Sequence, residues 1–214
     1  MKLKVSEIFC SIQGEGLDVG SPNIFLRLFG CNLRCSWCDS MYAVEGNDYE
    51  NLSLDIILAK IRDLKYKKIC ITGGEPLLQQ KTLVVLVENL LKDGYKIILE
   101  TAGHIKPEGI FEDPNVLISM DCKCPESNMV DKSNISILKT LSNKDQIKFV
   151  IKDKSDYTFA KKIVLKEKFN AEVIFQPVYG SDSKLLVKHI LEDKLNVRFV
   201  PQVHKFIWGD IKGV

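Results

Sequence analysis

A chain of 214 residues and 24.3 kDa fits one ordinary domain, expected here over 1–214, and is long enough to bury a sizeable core. At 45% hydrophobic and 27% charged it reads as an average globular protein, and a net charge of +2 gives no field suited to nucleic acid or a membrane surface. No apolar run reaches the about 18 residues of a membrane span, and Glu7 interrupts the amino terminus before a signal-peptide core forms, so a cytoplasmic location is expected.

In chain order, the first clear apolar run is 23–29, Asn-Ile-Phe-Leu-Arg-Leu-Phe, which reads as a strand with one odd member. Arg27 is one of only four arginines, the others being Arg34, Arg62 and Arg198. Guanidinium inside an apolar strand is chosen where a planar anion must be held by two prongs. The plainer alternative is a structural ion pair, with Glu75 or Asp39 as partner.

Immediately after this strand comes Cys31-Asn32-Leu33-Arg34-Cys35-Ser36-Trp37-Cys38. Seven cysteines, an odd number with one tight cluster, argue for metal binding over a disulfide framework. Three thiolates spaced C-x3-C-x2-C fit three corners of a cubane iron–sulfur cluster and leave one iron open to a small molecule. The alternative is zinc, with a fourth ligand from Cys10, Cys70, Cys122, Cys124 or a histidine, although structural zinc sites usually show paired C-x2-C knuckles.

A helix is expected over 52–64 with Ser53 as its N-cap. The strand 68–72 follows and runs into Gly73-Gly74-Glu75-Pro76. Two glycines there let backbone approach a ligand, or simply make a tight turn before a helix at 82–91. Further strands at 95–100, 116–121, 146–151 and 172–176, and a weaker one at 198–202, alternate with helices at 156–168 and 183–191. Several of these strands are apolar throughout, as parallel strands covered on both faces are. Strand–helix alternation implies right-handed crossovers and an α/β fold. About six parallel strands, fewer than the eight of a full barrel, make it a partial, open TIM-type barrel. The long connections 39–51 and 124–136 are expected to carry function. His104 follows the 95–100 strand, where barrel sites lie, whereas His189 reads as a surface residue of a helix and His204 belongs to the tail.

Together the cysteine motif and the strand-end Gly-Gly-Glu resemble the signature of the radical S-adenosylmethionine (SAM) superfamily. The resemblance implies a [4Fe-4S] cluster on Cys31, Cys35 and Cys38, whose open iron binds the amino and carboxylate groups of SAM. Such a cluster passes one electron to the sulfonium, which splits into methionine and a 5′-deoxyadenosyl radical. SAM contacts are then implied for Trp37, Cys38 and Asp39, for Gly73, Gly74 and Glu75 holding its amino group, for Ser119, Asp121, Cys122 and Lys123, and for Gln176.

A narrower resemblance is to the 7-carboxy-7-deazaguanine synthases, radical SAM lyases of queuosine and 7-deazapurine biosynthesis. It rests on Phe9-Cys10-Ser11-Ile12-Gln13-Gly14-Glu15-Gly16, on Arg27 in its strand, on Asp39-Ser40 directly after the last cluster cysteine, and on the tail His204-Lys205-Phe206-Ile207-Trp208-Gly209. By this resemblance the substrate is 6-carboxy-5,6,7,8-tetrahydropterin, which loses ammonia to give 7-carboxy-7-deazaguanine. Substrate contacts are implied for Ile12, Gln13, Gly14, Glu15, Arg27, Thr72 and the carboxylate of Val214. Ser40, otherwise a turn or cap residue, would bind Mg2+, a hard ion that takes oxygen ligands. A homodimer and an external one-electron donor such as flavodoxin are also implied. Two rivals stay open: an activase that makes a glycyl radical on a partner protein, and a zinc-stabilised binding module without chemistry.

Overall fold

A computed structural model describes residues 1–209 and 211–213. Their strands form one open sheet. Its members are β1 (Lys2–Ile12), β2 (Pro22–Leu28), β3 (Glu50–Ser53), β4 (Lys68–Gly73), β5 (Lys96–Thr101), β6 (Val116–Cys122), β7 (Gln146–Ile151), β8 (Glu172–Pro177) and β9 (Arg198–Phe199). Their spatial order is β3-β1-β2-β4-β5-β6-β7-β8-β9. From β2 onward each pairing is parallel, while β1 runs antiparallel to both β2 and β3. The parallel part therefore has seven strands, one more than expected, because the weak run at 198–202 does contribute two residues as β9.

The connecting helices are α1 (Leu54–Asp63), α2 (Gln80–Lys92), the single turn α3 (Ile135–Leu138), α4 (Lys154–Lys166), α5 (Ser183–Glu192) and α6 (Val203–Trp208). Short polar side chains start several of them. Ser53 accepts from the Ile56 amide, Asp153 from those of Ser155 and Asp156, and Asp182 from that of Leu185. Each cap relieves amide donors that a helix start leaves without partners.

Period-two alternation sorts the strand residues between two faces. Ile24, Leu26 and Leu28, then Ile69 and Ile71, Ile97 and Leu99, Ile118 and Met120, and Ile147 and Phe149 join the main core under the helices. On the other face Phe25, Cys70 and Ile98 form a small apolar floor, packed by Phe9 and Leu117. One step further along several of these strands the inward residue is polar. That change of chemistry at the strand C-terminal ends makes the site.

Candidate active site

Six parallel strands each turn a polar side chain inward, Arg27, Thr72, Glu100, Asp121 and Gln176 near the C-terminal end and Lys148 in the middle of β7. All six line one cavity of about 520 Å3. The 11–15 turn, the cysteine loop and tail residues Gln202, His204, Lys205, Trp208, Gly209 and 211–213 supply further walls.

The cysteine loop is pinned from several sides. The Gly30 amide donates to the Ala43 carbonyl (2.7 Å), and the Ser36 amide and hydroxyl donate to the carbonyls of Ser127 (3.1 Å) and Glu126 (2.5 Å). The Arg34 guanidinium donates back to the carbonyls of Cys31 and Leu33. His104 Nε2 lies 2.9 Å from Asn32 Oδ1. Cys31, Cys35 and Cys38 are free thiols that all line the cavity. Burial pushes the Cys31 and Cys35 thiols up, and the charge of Cys38 adds to this in both. Among the described residues no group of three His, Cys, Asp or Glu side chains is gathered tightly enough to hold a single ion. A cubane gives each thiolate its own iron, so its ligands need not converge on one point. Three thiols on one pinned loop, facing one chamber, fit that group.

Gly73 and Gly74 are required by backbone packing. Gly73 has φ +131°, and a Cβ on it would stand 2.0 Å from the Leu28 carbonyl oxygen, while one on Gly74 would stand 2.3 Å from that of Gly30. The Gly74 amide donates to Leu28 and the Glu75 amide to Gly30, so the end of β4 lies flush on the start of the cysteine loop. Glu75 behaves differently from the SAM contact expected of it. Its carboxylate is 1% exposed, does not line the cavity, and accepts from the Leu77 amide (3.0 Å), the Ala102 amide (2.7 Å) and the Thr101 hydroxyl (2.9 Å). Glu75 thus ties the end of β4 to the end of β5 while Gly73 and Gly74 face the chamber.

Two groups of charge occupy the walls. Arg27 Nε pairs at 2.6 Å with Glu7, its cross-strand neighbour on β1, and not with Glu75 or Asp39. The Tyr42 hydroxyl donates to the same Glu7 oxygen (2.6 Å). Further along, Lys148 Nζ lies 2.5 Å from Glu15 and 3.5 Å from Asp121, and Lys123 Nζ lies 2.7 Å from Asp121 and over the Trp37 ring. Burial opposes ionisation of Glu15, but Lys148, His204 and hydrogen bonds from Lys148 and Gln202 outweigh it and hold the carboxyl down at about 2. Asp121 is likewise lowered, burial being outweighed by Lys123 and Lys148. The Thr72 hydroxyl donates to Glu100 (2.8 Å). Ser40 makes no helix-cap bond; its hydroxyl donates to Asp39 (3.1 Å) and faces the cavity.

Residues 26–113 match the model of the radical SAM superfamily. A 7-carboxy-7-deazaguanine synthase of Methanospirillum hungatei is 40% identical over 205 residues, covering 96% of this chain and 85% of its own length. One from Koribacter versatilis is 39% identical over 230 residues, covering 99% of this chain and all of its own. The chain belongs to the 7-carboxy-7-deazaguanine synthases. It is accordingly a radical SAM enzyme whose cofactors are a [4Fe-4S] cluster and SAM. The crystal structure of QueE from Escherichia coli superposes with a TM-score of 0.79 at 23% identity, covering 95% of each chain, and shares the fold.

Of the residues that the family resemblance singled out, Ile12, Gln13, Gly14, Glu15, Arg27, Cys31, Cys35, Trp37, Cys38, Asp39, Ser40, Thr72, Gly73, Gly74, Asp121, Lys123 and Gln176 all line the one chamber. Ser119 and Cys122 do not. Ser119 sits a tier below, where Gln146 Nε2 donates to its hydroxyl (2.7 Å) and Gln146 Oε1 accepts the Leu17 amide, sealing it from the cavity. Cys122 follows the alternation of β6 onto the helix side and packs in the main core. Val214 lies outside the described residues. Glu100, Lys148 and Tyr42 line the chamber and were not expected there. For Glu100 and Lys148 a signal existed, a charge within an otherwise apolar strand, the same one that marks Arg27.

Proposed function

We propose that this radical SAM enzyme converts 6-carboxy-5,6,7,8-tetrahydropterin to 7-carboxy-7-deazaguanine with loss of ammonia. The observation that carries the reading is one chamber shared by the three cluster thiols and by a ring of acid, base and amide side chains from six strands. Its walls run from Phe9 to Gly213, which supports treating the chain as one catalytic unit. When bound, the cluster and SAM supply a carbon radical; the protein's part is to hold the pterin and exclude competing reactions.

In this reading Arg27, fixed by Glu7, presents its guanidinium to the substrate carboxylate. Ser40, free of any capping duty, offers a hydroxyl to Mg2+ beside that carboxylate, with Asp39 adjacent. Gly73 and Gly74 present a bare backbone edge to the amino group of SAM, and Asp121 and Lys123 take its polar groups on the far wall. Ile12, Gln13, Gly14 and Thr72 face the pterin. The enzyme would act in the cytoplasm as a homodimer, with an external donor such as flavodoxin supplying the electron. Among the described residues no helix is long and apolar enough to cross a membrane.

The test is an anaerobic assay of reconstituted protein with the carboxypterin, SAM and a reductant, read for deazapurine. Formation of 7-carboxy-7-deazaguanine is expected. Iron-loaded protein that releases 5′-deoxyadenosine without any deazapurine would instead support the activase, and colourless protein carrying zinc would support the binding module.

A further inference from the structure

Lys148 is a charged residue that the chemistry above leaves without a task. It stands on β7 with its side chain only 6% exposed and lines the chamber from within. A lysine is held in such a place only when its charge is paired. Here Glu15 provides the pair, reaching in from the turn after β1, with Asp121 on β6 as a second, more distant partner. Burial disfavours the Lys148 charge, yet Glu15, Asp121 and Glu100 hold its proton on firmly.

The hydrogen-bonding capacity of this pair is not used up. A carboxylate offers about four lone-pair sites and an ammonium three donors. Glu15 spends one site of Oε2 on Lys148 and one of Oε1 on Gln202 Nε2 (2.9 Å), which leaves one acceptor on each oxygen. Lys148 directs one donor to Glu15 and a second toward Asp121, which leaves one. Two neighbouring acceptors beside one donor are the complement of a ligand edge that offers two N–H groups and then a carbonyl oxygen.

We propose that Lys148 and Glu15 together read the 2-amino-4-oxopyrimidine edge of the bound ring, Glu15 accepting from the ring N–H and the amino group while Lys148 donates to the 4-oxo oxygen. Lys148 is then a specificity-determining residue, and the ligand class is any flat heterocycle carrying that edge. The inference rests on the pterin reading above. It assigns the end of the molecule opposite the carboxylate that Arg27 is suited to hold. A hydroxyl or amide in place of the ammonium would be a weaker donor, and an apolar side chain would strand Glu15 without its counter-charge.

The experiment uses the cluster-loaded enzyme with SAM and no reductant, so that ligands bind without turnover. Affinities are measured for three aromatic probes: pterin-6-carboxylate, its 2,4-diamino analogue, in which the oxygen becomes a donor and the ring N–H an acceptor, and its 4-deoxo analogue, which has no group at that carbon and likewise no ring N–H. The wild-type enzyme should bind the oxo probe about ten-fold or more tighter than either analogue, because each analogue loses the bond from Lys148 and the ring N–H bond to Glu15 together. Lys148→Gln should weaken the oxo probe by a similar factor and leave the 4-deoxo probe nearly unchanged, and Lys148→Arg should restore part of the preference. Iron content and melting temperature identify a variant that has failed to fold, and the wild-type comparison then decides alone. Equal affinity of wild type for all three probes overturns the edge assignment and leaves the pterin reading standing. No binding of any probe overturns both.

Discussion

Glu15 is the residue whose surroundings have the clearest consequence in solution. Its carboxyl is held at about 2, below the ordinary 4.5, so the folded state binds its proton less readily than the unfolded one. The stability this confers is complete above about pH 4.5 and is lost as pH falls toward 2, on the order of 3 kcal/mol in all. Denaturant titrations of the cluster-free chain should show the midpoint dropping between pH 5 and 3. Glu15→Gln should start lower and follow a flatter profile through that window; an unchanged slope would mean that Glu15 titrates normally. At this scale the sequence was partly legible. Arg27 announced itself as a guanidinium within an apolar strand, and Glu100 and Lys148 carried the same mark. The partner of Arg27 was not legible, because Glu7 reaches it only through the antiparallel register of β1 on β2.

Among the elements, α4 supports the cysteine loop without touching it. Asp156, in the first turn of α4 and fully buried, accepts from the amides of Glu126 (2.8 Å) and Lys152 (2.9 Å). The 126–127 turn fixed in this way carries the two carbonyls that hold Ser36 in the cysteine loop. Asp156→Ala would leave two amides without their acceptor, costing about 2–4 kcal/mol. Chemical denaturation should register that loss, and reconstituted protein should hold less iron per chain. Asp156→Asn, which keeps one acceptor, should lose roughly half as much. Parallel strands and their helices were visible as apolar runs and caps, whereas β1 was not. Its alternation through Leu3 and Val5 is broken by a bulge before Glu7, so no single period runs its length. The short edge strand β3, Glu-Asn-Leu-Ser, has too little apolar character to stand out from the loop before it.

Over the whole molecule, the two distant ends of the chain meet above the chamber. The Val203 amide donates to the Gly14 carbonyl (2.9 Å), Gln202 holds Glu15, and the His204 ring fills the space where a Gly14 side chain would be. Lys205 adds an ion pair with Asp39 (3.8 Å). None of these tail residues belongs to the main core. Truncation after Pro201 should therefore leave the sheet folded, with a melting temperature within a few degrees of the full chain and near-normal iron content. Activity should fall about 100-fold or more, since each of several broken contacts orients the ligand. Retained turnover in the truncated protein would show that the roof is dispensable. Some 165 residues separate Cys38 from Val203. At ordinary translation speeds the thiols leave the ribosome roughly ten to thirty seconds before the segment that covers them. An iron-delivery protein working on the nascent chain meets an open loop, whereas one arriving after release has to reach it past a finished lid.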